Sequence, residues 1–411
     1  MQTAGSARIV TMEDVVIIGA GPCGLSAAAE LQDQGFDPLV IEKENVVHSI
    51  TCYPTNMEFF STPALLEIAG VPFITPHPKP SRLEALNYYR TVSERREMRI
   101  RRYERVTAVE RVAEQPSDAA GGKEIVAADG AGGGSEFETI KRSANGSSGA
   151  IRDNGYFIVR SVRPSGEALE TKARAVVVAT GYFDHPNRIG IPGEDLPHVT
   201  HFFREAHPYA GMRVVIIGGS NSAVDAAMEL ERVGARVTVV YRGESVSSNI
   251  KPWVRPLFDG MVAKGRIELR LQSRVVAIRP DEVTVQRGKA SVQEGADKVD
   301  RQGVELRDEK SSNEAEWQDG MREETLETLG CDFVLALTGF RPDRGFLRAM
   351  GIHAPDGIIP PTHDPDTMET NVQGLYLAGV VSTGRDANEI FIESGRFHGR
   401  KIAAHLASKR G

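Results

Sequence analysis

Short apolar runs rich in Val and Ile recur along the chain, each followed by a stretch with helical composition. Val15-Val16-Ile17-Ile18 leads into Gly19-Ala20-Gly21-Pro22-Cys23-Gly24, after which Leu25 to Leu31 is rich in Ala and Leu; the pattern predicts strand, tight turn and helix. A second strand, Pro38 to Ile41, ends on Glu42. The same order returns in Arg213 to Ile217, Gly218-Gly219-Ser220-Asn221-Ser222-Ala223, a helix from Val224 to Val233 and a strand from Arg236 to Val240. Each copy continues through strand-like segments, 106–112 and 156–162 in one, 267–278 and 282–285 in the other. Each closes on an apolar strand ending in Thr-Gly, at Thr180-Gly181 and Thr338-Gly339.

A repeat of this kind predicts an α/β protein with two Rossmann-like dinucleotide-binding domains, the second inserted within the first. The expected bounds are 12–197 and 333–411 for the two parts of the first domain and 198–332 for the second. Residues 113–155, with Gly132-Gly133-Gly134 and Asn145-Gly146, and residues 286–330, dense in charge, read as solvated insertions at hairpin tips. Residues 1–11 read as a tail.

A chain of 411 residues holds two or three cores without staples. Its net charge of -7 argues against nucleic acid as a partner, and no apolar run reaches membrane-spanning length. Acidic Glu13-Asp14 before the first apolar run reverses the charge order of a secretory signal, so a cytoplasmic location is expected. Cys23, Cys52 and Cys331 form no CxxC pair and no metal-ligand spacing. His198 and His201 lie in a Pro-flanked loop without Cys partners and read as loop residues; no metal is expected.

Gly19-x-Gly21-x-x-Gly24 stands between a strand and a helix, the context that gives this spacing its meaning. Gly19 permits the sharp turn, Gly21 lets a pyrophosphate approach the backbone, and Gly24 allows helix and strand to pack closely; Pro22 is counted with them. The helix start adds free N–H groups for the phosphates. Glu42 is placed to accept hydrogen bonds from a ribose diol, and Lys43 is assigned to the same site. In the second copy Ser220 replaces the middle glycine and Ala223 the last. The spacing from Gly19 to Glu42 recurs from Gly218 to Tyr241, and Arg242 follows. Loss of the acid and gain of an arginine favour a 2′-phosphate, so FAD is expected on the first turn and NADPH on the second. The implied chemistry is hydride transfer from nicotinamide to flavin.

Beside these turns stand Tyr53-Pro54-Thr55, Phe59-Phe60-Ser61, Lys79-Pro80 and Asn388-Glu389-Ile390-Phe391-Ile392-Glu393-Ser394-Gly395-Arg396-Phe397-His398-Gly399. Together they resemble the YpdA family of bacillithiol disulfide reductases, within the two-dinucleotide-domain flavoproteins that include thioredoxin reductase. The resemblance implies bound FAD, NADPH as donor, a small-molecule disulfide (oxidised bacillithiol) as substrate and Cys23 as the redox thiol. A homo-oligomer without membrane or nucleic-acid partners is expected. Thr180, Gly181 and Gly379 are assigned to the cofactor, as are Asn388, Glu389 and Ile390, where a helix beginning near Ala387 would aim its N-terminus at the flavin. Two features depart from the wider group: the dithiol relay of thioredoxin reductase has no CxxC here, and Val380 follows Gly379 where related flavoproteins usually place an Asp.

A thiol at a helix start is expected to have a lowered pKa, although flavin phosphates nearby would oppose ionisation. For Cys23 the alternative is packing; Cys52 is a second candidate thiol, and Cys331 reads as core. A flavin monooxygenase, or a ferredoxin/flavodoxin-type reductase acting on a protein partner, would carry similar turns. No FxGxxxH precedes residue 211, which counts against the monooxygenase.

Overall fold

The computed structural model describes residues 12–113, 155–288, 325–355, 357, 359–384 and 390–410. Most of the two expected insertions lies outside these residues, as do Asn388 and Glu389. The chain divides into two compact units: one takes the described residues up to Thr51, Met57–His185 and those from Arg341 onward, the other Cys52–Asn56 and Pro186–Phe340.

The first unit opens with β1 (Met12–Ile18), α1 (Pro22–Asp33), β2 (Leu39–Ile41), the short helices α2 (His48–Thr51) and α3 (Pro63–Leu66), and α4 (Arg82–Arg95). Strands β3 (Arg99–Arg101), β4 (Arg105–Ala113), β5 (Gly155–Val162) and β6 (Ala168–Val178) follow. β1 lies parallel between β2 and β6, with Ile18 opposite Ile41 on one side and Val178 on the other. Val15, Val16 and Ile17 are fully buried, which is why this strand is continuously apolar. β4 and β5 form the expected antiparallel hairpin, paired out to Ala113 and Gly155, so the ends of the first polar stretch are strand residues.

The second unit contains β7 (Val199–Thr200), β8 (Arg213–Ile217), α5 (Asn221–Arg232), β9 (Arg236–Val240), α6 (Arg255–Ala263) and β10 (Ile267–Arg270). It continues with β11 (Ser273–Ile278), β12 (Glu282–Arg287), β13 (Thr325–Gly330) and β14 (Phe333–Ala336). A parallel sheet in the order β10-β9-β8-β14-β7 stands with an antiparallel sheet β11-β12-β13. Two expected limits move. Residues 325–330, read as part of a polar insertion, form β13, whose register against β12 is fixed from Thr325 to Gly330. β14 pairs with β8, so its buried Val334, Leu335 and Ala336 belong to the second core. The unit boundaries therefore fall at 185/186 and 340/341, not at 197/198 and 332/333.

The chain then returns to the first unit through α7 (Arg344–Ala349), β15 (Leu375–Leu377), α8 (Ile392–Gly395) and α9 (His398–Ser408). β15 adds to β6 and completes a seven-stranded sheet. α9 packs on α1 through Gly399, where an added Cβ would lie 2.6 Å from the Ala27 Cα. Ser26 Oγ, on α1, donates to the Arg396 carbonyl at 2.7 Å. Gly399→Ala gains about 1 kcal/mol of helix propensity. The overlap is with backbone, however, and forcing the helices apart costs about 1–3 kcal/mol. The substitution should therefore lower the unfolding temperature, and an unchanged or raised melting midpoint would contradict the close packing.

Candidate active site

The first glycine turn is built by close backbone approach. Gly19 has φ of 107°, donates its N–H to the Ile41 carbonyl at 2.9 Å, and would place a Cβ 2.5 Å from the Ala179 carbonyl oxygen. A Cβ on Gly24 would sit 2.0 Å from the Gly19 oxygen. Thr180-Gly181 follows β6 on the same edge, with Gly181 at φ of 68°. Over Gly21, by contrast, an added Cβ meets nothing, and no side chain caps α1. No side chain therefore competes for its first amides, which are open to water or to a ligand. Glu42 is 7% exposed, and its two carboxylate oxygens accept from the amides of Ala20 at 2.7 Å and Glu44 at 3.0 Å. Each oxygen keeps acceptor capacity for a ribose hydroxyl. Lys43 reaches the other way: its ammonium pairs with Asp184 at 2.5 Å.

Cys23 occupies the first turn of α1. Although the residue is half-buried overall, its sulfur is packed against two glycines from the far end of the chain. A Cβ on Gly379 would approach it to 2.8 Å and one on Gly395 to 2.9 Å; Ile390 also borders Gly395. Burial pushes the Cys23 thiol up to about 12, opposite to the lowering expected at a helix start. The magnitudes explain the outcome: a helix terminus is worth at most about 2 kcal/mol, or roughly 1.5 pKa units, whereas burial alone shifts groups by up to about 3–5 units. Cys331 is fully buried and its thiol is raised to about 11, mainly by the same loss of solvation. Cys52 is half-buried.

Gly379 itself, at φ of 81°, donates its amide to Nδ1 of His398 at 3.2 Å. Burial lowers this imidazole to about 4, helped by Lys401 and His363, so the ring is neutral and Nδ1 is free to accept. Ala387, where a helix is expected to begin, lies outside the described residues. Ile390 and Phe391 are outside helix, and α8 is a four-residue turn followed by α9; between them the Arg396 side chain donates to the Ala64 and Glu67 carbonyls. So short a helix lacks the row of aligned peptides that a strong terminal dipole requires.

The second turn repeats the first in register. Gly218 donates to Val240 at 3.1 Å, and its Cβ would meet the Leu337 carbonyl oxygen at 2.4 Å, matching Gly19 against Ile41 and Ala179. Tyr241 N–H bonds the Arg270 carbonyl as Glu42 N–H bonds that of Arg101, so Tyr241 stands at the position of the acid. Its ring fills the space over Gly219, where a Cβ would lie 2.4 Å from Cγ. Arg242 is exposed, without a side-chain partner among the described residues. Ser220 is the N-cap of α5 without a capping side chain; Ser222 is exposed, and Ala223 is buried with its methyl against Gly218. Asn221 is spent on the loop after β9, donating to the Asn249 carbonyl at 2.8 Å and accepting from the Lys251 amide at 3.0 Å. His201, read as a solvated or hydrogen-bonded loop residue, is largely buried with Nε2 3.4 Å from Glu194.

Two bare helix starts on two repeated strand-turn-helix units thus lie in one chain, one with a buried acceptor beside it and one with an exposed arginine. The family model described as pyridine nucleotide-disulphide oxidoreductase matches residues 16–118, 152–300 and 289–379. This chain belongs to the pyridine nucleotide-disulphide oxidoreductases. The oxidoreductase is 40% identical over 397 residues, 97% of its length and 98% of the relative, to bacilliredoxin reductase Bdr of Bacillus subtilis. Among solved structures it is similar to bacillithiol disulfide reductase Bdr (YpdA) from Bacillus cereus, at TM-score 0.76 and 38% identity over 97% of this chain and 99% of that one. The Staphylococcus aureus counterpart gives TM-score 0.76 and 34% identity over 98% and 100%.

Membership makes the oxidoreductase a flavin enzyme that uses a pyridine nucleotide. Its residues fit such groups: the open backbone at Gly21, the uncapped α1 and the acceptor Glu42 suit a flavin nucleotide. Sequence reasoning found the turns and strand ends but missed the His398 contact with Gly379 and the Tyr241 ring on Gly219. A histidine within the quoted terminal motif and an aromatic at the acid position were the available signals.

Proposed function

We propose that this oxidoreductase carries two electrons from NADPH, by way of FAD, to a low-molecular-weight disulfide of the bacillithiol type. The observation that carries the cofactor reading is the contrast between equivalent strand ends: Glu42 is buried and accepting, whereas Tyr241-Arg242 presents an arginine to solvent. In this reading Gly19, Gly21, Pro22, Gly24 and Glu42 hold the FAD pyrophosphate and ribose, with Lys43, Thr180 and Gly181 along the same edge. Gly379 and Ile390 adjoin the flavin beside Cys23, and Asn388 and Glu389 are assigned with them. Residues Gly218 to Ala223 and Arg242 hold NADPH.

When bound, flavin supplies the two-electron exchange with nicotinamide. Cys23 attacks one sulfur of the substrate disulfide, its thiol proton leaving with the first thiol, and a mixed disulfide forms. Two electrons and two protons then restore Cys23 and release the second thiol. With no CxxC in the chain, the second sulfur of each exchange comes from the substrate. The full-length similarity to proteins named as bacillithiol disulfide reductases favours this reading over a monooxygenase or a ferredoxin-type reductase. The same reading makes the enzyme cytoplasmic and homo-oligomeric; among the described residues no helix is long and apolar enough to cross a membrane.

The test is nucleotide choice. The purified enzyme should be reduced faster by NADPH than by NADH, and Arg242→Ala should erase the preference, at a cost of about 1–3 kcal/mol for a lost charged phosphate contact. Equal rates with both nucleotides in the unmodified enzyme would overturn the assignment. Thiol release from bacillithiol disulfide at the expense of NADPH checks the substrate, and no consumption would rule it out.

A further inference from the structure

We propose that His398 is a positioning residue for the Cys23 thiol, acting through the Gly379 amide that its Nδ1 accepts. The proposal rests on the reading of Cys23 as the redox thiol, but the labelling that decides it does not.

Three pieces of chain meet at this point. The thiol is on α1, and one wall of its enclosure is Gly379, whose α-carbon faces the sulfur so closely that a methyl there would come to 2.8 Å. Gly379 follows a residue fixed by the sheet, since Ala378 N–H bonds the Val178 carbonyl at 2.9 Å. Beyond Gly379 the backbone turns through φ of 81°, and the Gly379 carbonyl takes the Ser382 hydroxyl at 2.9 Å. The Gly379 N–H therefore decides where the wall stands, and its acceptor is the His398 ring at 3.2 Å. His398 opens α9, the helix that Gly399 seats directly on Ala27 of α1. One imidazole thus ties the turn covering the thiol to α9, the helix packed on the one that carries it. Burial keeps the ring neutral, which an acceptor at Nδ1 requires.

The geometry makes a discriminating substitution possible. The carboxamide oxygen of asparagine takes the place of Nδ1, whereas that of glutamine takes the place of Nε2, further from the amide. In flavin-loaded protein, alkylation of Cys23 by iodoacetamide is followed by mass spectrometry of its peptide, with Cys52 as internal reference. His398→Asn should label Cys23 within about threefold of the unmodified protein. His398→Gln and His398→Leu should label it at least about tenfold faster, the amide having lost its partner and the wall its position. Cys52 labelling should not change in any variant. Disulfide turnover should follow the same division between Asn and Gln. Equal labelling of Cys23 in the Asn and Gln variants, whether slow or fast, overturns the proposal, and so does a rise in labelling that Cys52 shares. If His398→Leu does not fold, the Asn and Gln pair decides alone. Loss of turnover in Cys23→Ser is a separate result and tests only the thiol's role.

Discussion

Glu42→Ala protein should be purified almost without flavin. The carboxylate is nearly closed off from solvent and serves two backbone amides, those of Ala20 and Glu44, which lie within and just beyond the first turn and its strand. Truncation leaves both amides short of an acceptor, at about 1–3 kcal/mol each if they stay buried, and removes the charged acceptor proposed for the ribose diol, worth about 1.5–3 kcal/mol. Even the smaller ribose figure corresponds to roughly a tenfold loss of affinity, and displacement of the turn multiplies it. The flavin-to-protein ratio after gel filtration measures the effect. Glu42→Gln should be intermediate, because one of its two polar atoms is a donor facing a donor. Full flavin content in both variants would mean that the ribose is held elsewhere.

Cys23→Ser should retain flavin and accept hydride from NADPH, yet lose disulfide turnover by about a thousandfold or more, since a hydroxyl matches the thiol in size but not as a soft nucleophile. The buried resting thiol adds a second signature. With the thiol raised to about 12, its ionised fraction at neutral pH is minute. Turnover limited by thiolate should climb with pH, by about tenfold per unit through the range below that value, whereas reduction of an artificial acceptor should not. Comparable turnover by Cys23→Ser and the unmodified enzyme would return the residue to packing and leave direct electron transfer, or Cys52, as the route.

The two βαβ units were legible because their glycines answer to local geometry: Gly19 and Gly218 each abut a carbonyl from the closing strand of their own sheet, so the spacing itself carries the fold. The match of Tyr241 to Glu42 was legible for the same reason, as both follow a strand whose last carbonyl accepts from the turn. What escaped depends on residues distant in sequence. Nothing local to Cys23 announces that Gly379 and Gly395 enclose its sulfur, and without that enclosure the helix-start argument points the wrong way. β13 was hidden because four of the six residues from Thr325 to Gly330 are exposed and none is fully buried, leaving a strand without an apolar face beside a charged stretch. The Arg396 side chain reaching the Ala64 and Glu67 carbonyls is likewise a long-range contact that composition does not signal.

The Tyr241 ring lies between two glycines: a side chain at Gly219 would strike its Cγ at 2.4 Å, and one at Gly243 its Cε1 at 2.6 Å. The ring therefore sets a steric limit at both glycines. While the aromatic is present, neither neighbour is free to vary. Replacing Tyr241 with a smaller side chain vacates the ring's volume and relieves the steric limit at both glycines. An alanine at 219 or 243 should therefore be tolerated better in a Tyr241→Ala background than in the unmodified chain.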